Sequence, residues 1–217
     1  MSPLRAYGAL LFVFTANDIL FWLASGSYAI YAVDYGAKLV MLALLLAAGA
    51  QRMADPRPTV PPRPEALAFW LVFAVVANLA LFFAAARMER IAPSPHLFDW
   101  PKVKDVWLAA IDLTLGLALT AVVEEMMGRR LAWNVLAPRL TRPWGPLVVS
   151  SVLFGLGHWG QGPWNTLSAT LGGAALFVAY RRTGSLALVV IAHYLVNLID
   201  FGKWYGIAWL DPAFYFR

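Results

Sequence analysis

Apolar runs alternate with short polar breaks along the whole sequence. An α-helix needs about 20 apolar residues to cross a hydrocarbon core of about 30 Å. Seven runs approach or reach that length, at roughly residues 6–26, 36–50, 66–86, 106–127, 145–160, 165–180 and 185–201. The sequence therefore predicts an all-α polytopic membrane bundle of about seven transmembrane helices.

The composition agrees with a membrane protein. Hydrophobic residues make up 61% of the chain and charged residues only 13%, against about 25% charged residues in average soluble domains. Cysteine is absent, which excludes disulfides, a thiolate metal site and a cysteine nucleophile. The net charge is +5, but the basic residues lie in short loops between apolar runs, which indicates membrane topology and not nucleic-acid binding. The lipid bilayer is thus an expected partner and nucleic acid is not.

A proline-rich break divides the chain. Residues 54–65 predict a semi-extended linker without helix, because they contain Pro56, Pro58, Pro61, Pro62 and Pro64. We expect a two-helix membrane segment over residues 1–53, the linker over 54–65, and a membrane bundle over 66–217. The first apolar run follows Arg5 as in a signal peptide. It lacks a clear small-x-small cleavage site, so we interpret it as a retained helix.

The basic residues are distributed unevenly over the loops. If the spans alternate in direction, one side of the membrane receives Arg5, Arg52, Arg57, Arg63, Arg129, Arg130, Arg139, Arg142, Arg181 and Arg182. The loop at 159–164, on the other side, carries no charge, whereas the loop at 87–105 carries both signs. The positive-inside rule predicts that the N-terminus and the Arg-rich loops are cytoplasmic. We expect a multi-pass protein of a prokaryotic cell membrane.

Two adjacent carboxylates, Glu124 and Glu125, end the fourth apolar run. A charged side chain within a bilayer costs roughly 2.5–3.5 kcal/mol. Glu125 and Arg129 lie four residues apart and can pair on one helix face, while Glu124 projects about 100° away. Because two close anions resist joint ionisation, one of them could serve as a base. The alternative is an ordinary charged helix end just outside the membrane.

Two histidines lie in or beside later apolar runs. His158 follows Phe154 by four residues, and His193 precedes Asn197 by four. A single histidine in an apolar helix most often makes an interhelical hydrogen bond. Each polar group in lipid needs a partner, however, and the economical solution for both histidines, Asn197 and the Glu pair is one shared cavity.

Such a cavity suits peptide hydrolysis. A carboxylate can activate water, a histidine can share the proton transfer, and a second histidine with an asparagine can stabilise an oxyanion. Glu124, His158 and His193 could instead bind a divalent metal such as zinc, with water as the fourth ligand. The spacing of these residues leaves both possibilities open.

The sequence contains three motifs in this order: Glu124-Glu125-x-x-x-Arg129, Phe154-x-x-x-His158 and His193-x-x-x-Asn197. Together they resemble the CPBP family of CAAX-protease and bacteriocin-processing (Abi) intramembrane endopeptidases. The run at residues 180–186 resembles the family as well. The matching core covers about residues 105–201. Within it, the resemblance implies that Glu124 is the general base, that His158 holds or activates the water, and that His193 and Asn197 form the oxyanion site.

Supporting roles are also implied by the resemblance. Glu125 and Arg129 would form a supporting ion pair, and Phe154 would pack beneath His158. The family is described both as metalloproteases and as metal-free glutamate proteases, and we expect the metal-free form here. The implied substrate is a membrane-anchored protein or peptide, either CAAX-like or a bacteriocin-type peptide.

Two other functions remain open at this point. A catalytically silent protein of the same fold could bind a protein partner as a scaffold or immunity factor. A small transporter could use the buried Glu and His residues as a proton relay, although no internal repeat supports it. The complete set of four candidate catalytic residues favours the endopeptidase.

Several other polar residues fall in or near the apolar runs. We expect interhelical hydrogen bonds or a water-filled vestibule for Asn17, Asp18, Asn78, Asp112 and Asp200. His96, in a proline-rich loop, is not expected to be catalytic. Trp159 and Trp164 are expected to anchor the membrane interface or contact substrate, and Gly172-Gly173 is expected to allow close helix packing.

The predicted spans create a difficulty of depth. With simple alternation, Glu124 lies near the cytoplasmic end of its helix, while His158 lies near the opposite end of the next. For the two to meet, one helix must be longer, tilted or shifted, with part of residues 131–143 entering the membrane region.

Overall fold

A computed structural model describes residues 1–60, 63–101 and 103–202. Within them the chain forms seven helices and no strand, which confirms the predicted all-α fold. The helices are α1 (Pro3–Ala24), α2 (Ala29–Ala47), α3 (Pro64–Ile91), α4 (Val106–Leu136), α5 (Gly145–Leu156), α6 (Pro163–Thr183) and α7 (Leu186–Gly202). Short 3-10 turns lie at Ala50–Arg52 and Trp159–Gln161. Four helices, α1 to α4, are long and apolar enough to cross a membrane.

Local sequence signals explain several helix ends. Proline occupies the first turn of α1, α3, α5 and α6, where its missing N–H costs nothing. The Asp105 side chain caps α4 by accepting a hydrogen bond from the Leu108 amide at 2.8 Å. Gly184 ends α6 with a φ of +63°, a conformation that favours glycine.

Helix α4 contains two wider turns. Its backbone is π-helical over Asp112–Gly116 and Met126–Leu131, and α-helical elsewhere. A π turn adds one residue to the helical repeat and often lies at a functional site. The second of these turns follows Glu124 and Glu125 directly.

Several predicted boundaries were wrong. The predicted run at 36–50 begins seven residues later than α2, because Asp34 interrupts the apolar pattern, while Lys38 lies within the predicted run. These two side chains satisfy each other within the helix, at 2.5 Å. The run at 106–127 continues as helix to Leu136, and the run at 145–160 ends as a helix at Leu156.

The core is formed in two main parts. One cluster of buried side chains joins α1, α2, α4 and α5 through residues that include Leu10, Met41, Leu45, Met127 and Leu131. A second cluster joins α3, α6 and α7 through Ala74, Leu176, Tyr180 and Val189. The N-terminal helix pair therefore shares one hydrophobic core with α4.

The linker is docked onto the bundle. The Asp55 carboxylate accepts two hydrogen bonds from Arg130, at 2.8 and 2.6 Å, and one from the Tyr180 hydroxyl at 2.5 Å. The amide of Thr59 donates to the Arg182 carbonyl at 2.9 Å. No helix forms over the described residues 53–60, whereas Pro64 and Glu65, the last two residues of the predicted linker, begin α3. Pro61 and Pro62, and the last part of the predicted bundle at 203–217, lie outside the described residues.

The loops separate onto two ends of the bundle. Contacts between the linker, α4, Pro143 and the α6–α7 turn gather the Arg-rich segments at one end, which we call the Arg-rich end. At the other end, Gly26 donates to the Asp99 carbonyl and Leu97 donates to the Gly160 carbonyl. We call this second end, formed by residues 25–28, 92–101 and 157–162, the opposite end.

Candidate active site

Glu124 and Glu125 lie inside α4 and not at its end. Glu124 is 4% exposed and Glu125 is 0% exposed, and the helix continues beyond them to Leu136. The alternative of a solvated helix end outside the membrane is therefore wrong. Two buried carboxylates require partners, because an uncompensated buried charge is strongly destabilising.

Glu125 is enclosed by two partners at short distance. Its Oε2 lies 2.9 Å from Arg129 Nε, and its Oε1 accepts a hydrogen bond from Arg129 Nη2 at 3.1 Å. The same Oε1 lies 2.8 Å from His193 Nδ1. A carboxylate can only accept, so Nδ1 carries the proton and donates it to this hydrogen bond. Glu125 thus fixes both the arginine one helical turn away and the ring orientation of His193.

Phe154 provides an apolar surface against which the charged and histidine side chains of the site pack. Its ring centre lies 4.8 Å from the Arg129 guanidinium carbon, a cation–π distance. The ring centres of His158 and His193 lie 5.0 and 6.3 Å away. Phe154 is 5% exposed, and its ring therefore packs tightly against Arg129 and against both histidines.

His158 follows α5 in a turn that α1 holds in place. Its Nδ1 donates to the Phe154 carbonyl at 3.0 Å, which leaves Nε2 available to the cavity. The edge of the Phe14 ring meets the imidazole with ring centres 5.3 Å apart. Two residues further on, the buried Gly160 amide donates to Asp18 Oδ2 at 2.7 Å, and the Trp159 indole donates to the Thr15 carbonyl at 3.0 Å.

The four candidate catalytic residues border one cavity. Its volume is about 440 Å³, and its wall includes Glu124, His158, His193 and Asn197. His193 Nε2 lies 3.9 Å from Glu124 Oε2. The cavity extends from these residues to His96 and Asp99 at the opposite end, where both side chains are exposed.

The first π turn of α4 shapes the same cavity. The helix contributes Asp112, Leu117, Thr120 and Glu124 to the wall. Successive spacings in this set are five, three and four residues, and the spacing of five crosses the π turn at Asp112–Gly116. The wide turn therefore keeps Asp112 on the face that carries Glu124.

The helix lengths resolve the difficulty of depth. After Glu124, α4 has twelve more residues to Leu136, about 18 Å at 1.5 Å per residue. Helix α5 has 12 residues and returns by about the same distance. His158, just beyond α5, therefore reaches the level of Glu124 again. The predicted remedy of a longer helix was right, and residues 131–136 belong to that helix.

Two charged residues of the site were missed in the sequence. Lys38 Nζ lies 3.8 Å from Glu124 Oε1 and 2.5 Å from Asp34 Oδ1. Both side chains are buried and line the cavity. The available signal was an acid and a base four residues apart in an otherwise apolar segment, a spacing that favours pairing on one helix face.

The candidate metal ligands are Glu124, His158 and His193. Among the described residues, no group of three or more His, Cys, Asp or Glu side chains has an arrangement that could hold an ion. Glu124, His158 and His193 form no such group. In both histidines Nδ1 is engaged, by the Phe154 carbonyl and by Glu125. Engagement of Nδ1 leaves Nε2 of each ring free, as in metal-ligating histidines, but the three side chains as placed do not form an ion-binding group.

The remaining polar residues mostly connect helices. Asp112 accepts a hydrogen bond from Tyr35 at 2.6 Å, and Asn78 donates to the Gly172 carbonyl at 3.4 Å. A Cβ at Gly172 would overlap the Asn78 side chain, so this glycine allows close packing of α3 and α6, as expected. Asp200 borders the cavity.

His96 and Trp159 lie in the loops at the opposite end, and Trp164 lies in the first turn of α6. His96 Nε2 lies 3.2 Å from Glu89 Oε1. The Trp164 indole donates to the Ala92 carbonyl at 2.9 Å. Neither Trp159 nor Trp164 is among the described residues that line the cavity, which favours the interpretation that they anchor loops.

The family comparison covers the region that carries all of the predicted motifs. Residues 106–199 match the family model described as type II CAAX prenyl endopeptidase Rce1-like. By its similarity to that family, we refer to this region as the Rce1-like domain. The match confirms the CPBP resemblance and agrees closely with the predicted core at 105–201. No curated protein and no solved structure matches the chain.

Some residues of the site lie within the matched region and others lie before it. The Rce1-like domain contains Glu124, His158, His193 and Asn197, and it is similar to a family of CAAX prenyl endopeptidases. Helices α1 and α2, which supply Asp18, Asp34 and Lys38 to the cavity wall, lie before it. The cavity is therefore built from the domain and from the helix pair that precedes it.

Proposed function

We propose that this protein is an intramembrane endopeptidase in which Glu124 activates water to hydrolyse a peptide bond of a membrane-associated protein or peptide. The observation that carries the proposal is the single cavity bordered by Glu124, His158, His193 and Asn197. These residues come from three separate segments of an Rce1-like domain. Bringing four polar side chains together within an apolar bundle is costly, and catalysis accounts for all four.

In the proposed reaction, a water molecule binds between Glu124 and His158. Glu124 accepts one proton as the water oxygen attacks the carbonyl carbon of the substrate. The Nδ1 atom of His158 is held by the Phe154 carbonyl, so Nε2 is available. Nε2 accepts a hydrogen bond from the water and orients it. The products of this step are a protonated Glu124 and a tetrahedral intermediate with a negative oxygen.

His193 and Asn197 would stabilise that oxygen. Asn197 can donate from its amide nitrogen. His193 can donate from Nε2 in its doubly protonated form, because Nδ1 is already held by the Glu125 carboxylate at 2.8 Å. Oriented donors of this kind are typically the largest contribution to acyl-transfer catalysis. The intermediate then collapses as Glu124 returns its proton to the departing amine.

The substrate class follows from the family and the cavity. The family name specifies prenylated CAAX proteins, and a CAAX-like or bacteriocin-type peptide attached to the membrane is proposed for this chain. The cavity connects the catalytic residues with the opposite end of the bundle. We propose that the substrate segment enters there.

The Arg-rich end is proposed to face the cytoplasm of a prokaryotic cell. Because the chain has no cysteine, single-cysteine variants can test this proposal directly. Asp99→Cys is expected to react with a membrane-impermeant maleimide in intact cells, and Arg142→Cys only after lysis. The reversed pattern would place the cavity mouth on the cytoplasmic side.

The catalytic proposal is tested with Glu124→Ala, Glu124→Gln and His193→Ala against the parent protein. The probe is a farnesylated CAAX peptide with a fluorophore and quencher, presented in lipid nanodiscs. We expect all three variants to lose cleavage, since each removes a reacting or stabilising group. Cleavage that survives in all three would refute the protease mechanism. Binding of the peptide without cleavage by the parent would favour the silent scaffold.

Metal dependence is a separate measurement. The parent protein is treated with a chelator, assayed, and analysed for bound elements. Full activity without bound metal is expected for the glutamate mechanism. Activity that is lost on chelation and restored by zinc would require the histidines to rearrange around an ion.

A further inference from the structure

We infer that Lys38 is a positioning residue of the catalytic centre, which holds Glu124 from outside the Rce1-like domain. The inference rests on the proposed role of Glu124 as the base, and it deepens that role. Lys38 belongs to α2, whereas the match to the family begins at residue 106. Motifs within the domain therefore give no indication of this contact.

The geometry places Lys38 between two carboxylates. Its Nζ lies 2.5 Å from Asp34 Oδ1 on the same helix and 3.8 Å from Glu124 Oε1 on α4. Lys38 is 6% exposed and Asp34 is 8% exposed. The short contact with Asp34 anchors the ammonium group, and the longer contact directs its charge towards Glu124.

Glu124 is thereby held from two sides. Oε1 faces Lys38, and Oε2 faces His193 Nε2 at 3.9 Å. These two contacts fix the plane of the carboxylate relative to the cavity. Both exceed the usual hydrogen-bond range of 2.7–3.2 Å. Glu124 is therefore oriented by charge while its lone pairs remain available to a water molecule.

Charge compensation supports the same role. Arg129 pairs with Glu125 at 2.9 Å, so it does not compensate the charge of Glu124. Among the described residues that border the cavity, Lys38 is the one lysine or arginine. The other charged or titratable side chains that border the same cavity are Asp18, Asp34, His96, Asp99, Asp112, His158, His193 and Asp200. Without Lys38, the carboxylate would face mainly acids and histidines.

The first test needs no substrate. The unfolding midpoints of Lys38→Met, Glu124→Gln and the double variant are measured in detergent. Because the two groups interact, the double variant is expected to lose clearly less than the sum of the single losses. Purely additive losses would overturn the inference. Lys104→Met, which removes a lysine from an exposed loop position, is the matched control and is expected to leave the midpoint unchanged.

The second test measures kcat and KM separately on the farnesylated peptide. Lys38→Met keeps the length of the side chain and removes its charge, and it is expected to lower kcat by about tenfold or more with little change in KM. Lys38→Arg restores a cation and is expected to recover most of kcat. A Lys38→Met protein that is folded and retains the kcat of the parent would overturn the inference.

A chemical rescue covers the case in which Lys38→Met folds poorly. Lys38→Ala leaves space for a small cation, and added methylammonium is expected to raise its kcat, whereas the Lys104→Ala protein shows no response. A structural role for the lysine stem would give no rescue. The two proposals also fail differently. An active Glu124→Gln protein refutes the proposed function, whereas an inactive Glu124→Gln with a fully active Lys38→Met refutes only the role of Lys38.

Discussion

Glu124 and Glu125 are neighbours in one helix, yet they are held in different ways. Glu125 meets Arg129 and His193 at 2.8–3.1 Å and is fully buried. Glu124 meets Lys38 and His193 at 3.8 and 3.9 Å and borders the cavity. A carboxylate that is fully buried and held at short distance has little access to water. The comparison assigns structure to Glu125 and chemistry to Glu124.

The largest expected effect is on catalysis at Glu124. Glu124→Gln keeps the shape of the side chain but removes its ability to accept a proton, so kcat on the peptide probe should fall by about 10²–10⁴-fold. The unfolding midpoint should fall only by the loss of the contact with Lys38, and less than in Glu125→Gln. A Glu124→Gln protein that loses as much stability as Glu125→Gln would contradict the assignment of different roles to the two carboxylates.

Glu125→Gln should produce the reverse pattern. It leaves the Arg129 guanidinium buried at 0% exposure without its anion, and breaking such a pair costs about 3–5 kcal/mol. Denaturant unfolding in mixed micelles measures this loss. Glu65→Gln, an exposed carboxylate at the start of α3, is the control and should be close to neutral. A stable Glu125→Gln protein would show that the pair is dispensable.

A smaller effect is expected at the turn that carries His158. Asp18→Ala removes the acceptor for the buried Gly160 amide, which costs about 1–3 kcal/mol and loosens the position of the imidazole. We expect kcat to fall several-fold. Asp18→Asn retains an acceptor oxygen and should keep most of the activity. Equal losses in both variants would indicate that the charge of Asp18, and not its hydrogen bond, matters.

The smallest effect is expected at the linker, far from either carboxylate. Asp55→Ala removes the partner of Arg130 and Tyr180. Because Asp55 and Arg130 are partly exposed, loss of the ion pair should cost about 1 kcal/mol. The buried Tyr180 hydroxyl also loses its acceptor, and kcat should be unchanged. A large loss of kcat would mean that docking of the linker controls how α2 and Lys38 meet the domain.

Much of the fold could be predicted from hydropathy, because lipid-spanning helices need long apolar runs. The errors occurred where charges lie inside helices. Arg130 was assigned to a loop, yet it lies within α4 and pairs with Asp55, which is distant in sequence. The start of α2, the helix that contains Asp34 and Lys38, was likewise predicted too late. A one-dimensional pattern records the charge but not the partner that compensates it.

The candidate site shows the same limit. The order of Glu124, His158, His193 and Asn197 was sufficient to predict the family, and the structure places all four on one cavity. The contributions of α1 and α2 could not be predicted, because they depend on packing between segments outside the motifs. The depth of His158 likewise depends on the matched lengths of α4 and α5, which the misplaced boundaries concealed.

The cavity has a consequence for the supply of a reactant. Hydrolysis consumes water, which is scarce in the hydrocarbon layer. At about 30 Å³ per molecule, a volume of about 440 Å³ accommodates roughly fifteen waters, and its wall reaches the exposed His96 and Asp99. The reacting residues are thereby connected to the aqueous phase although their helices are surrounded by lipid. In the proposed reaction it is the scissile segment of the substrate, and not the water, that has to leave its own phase.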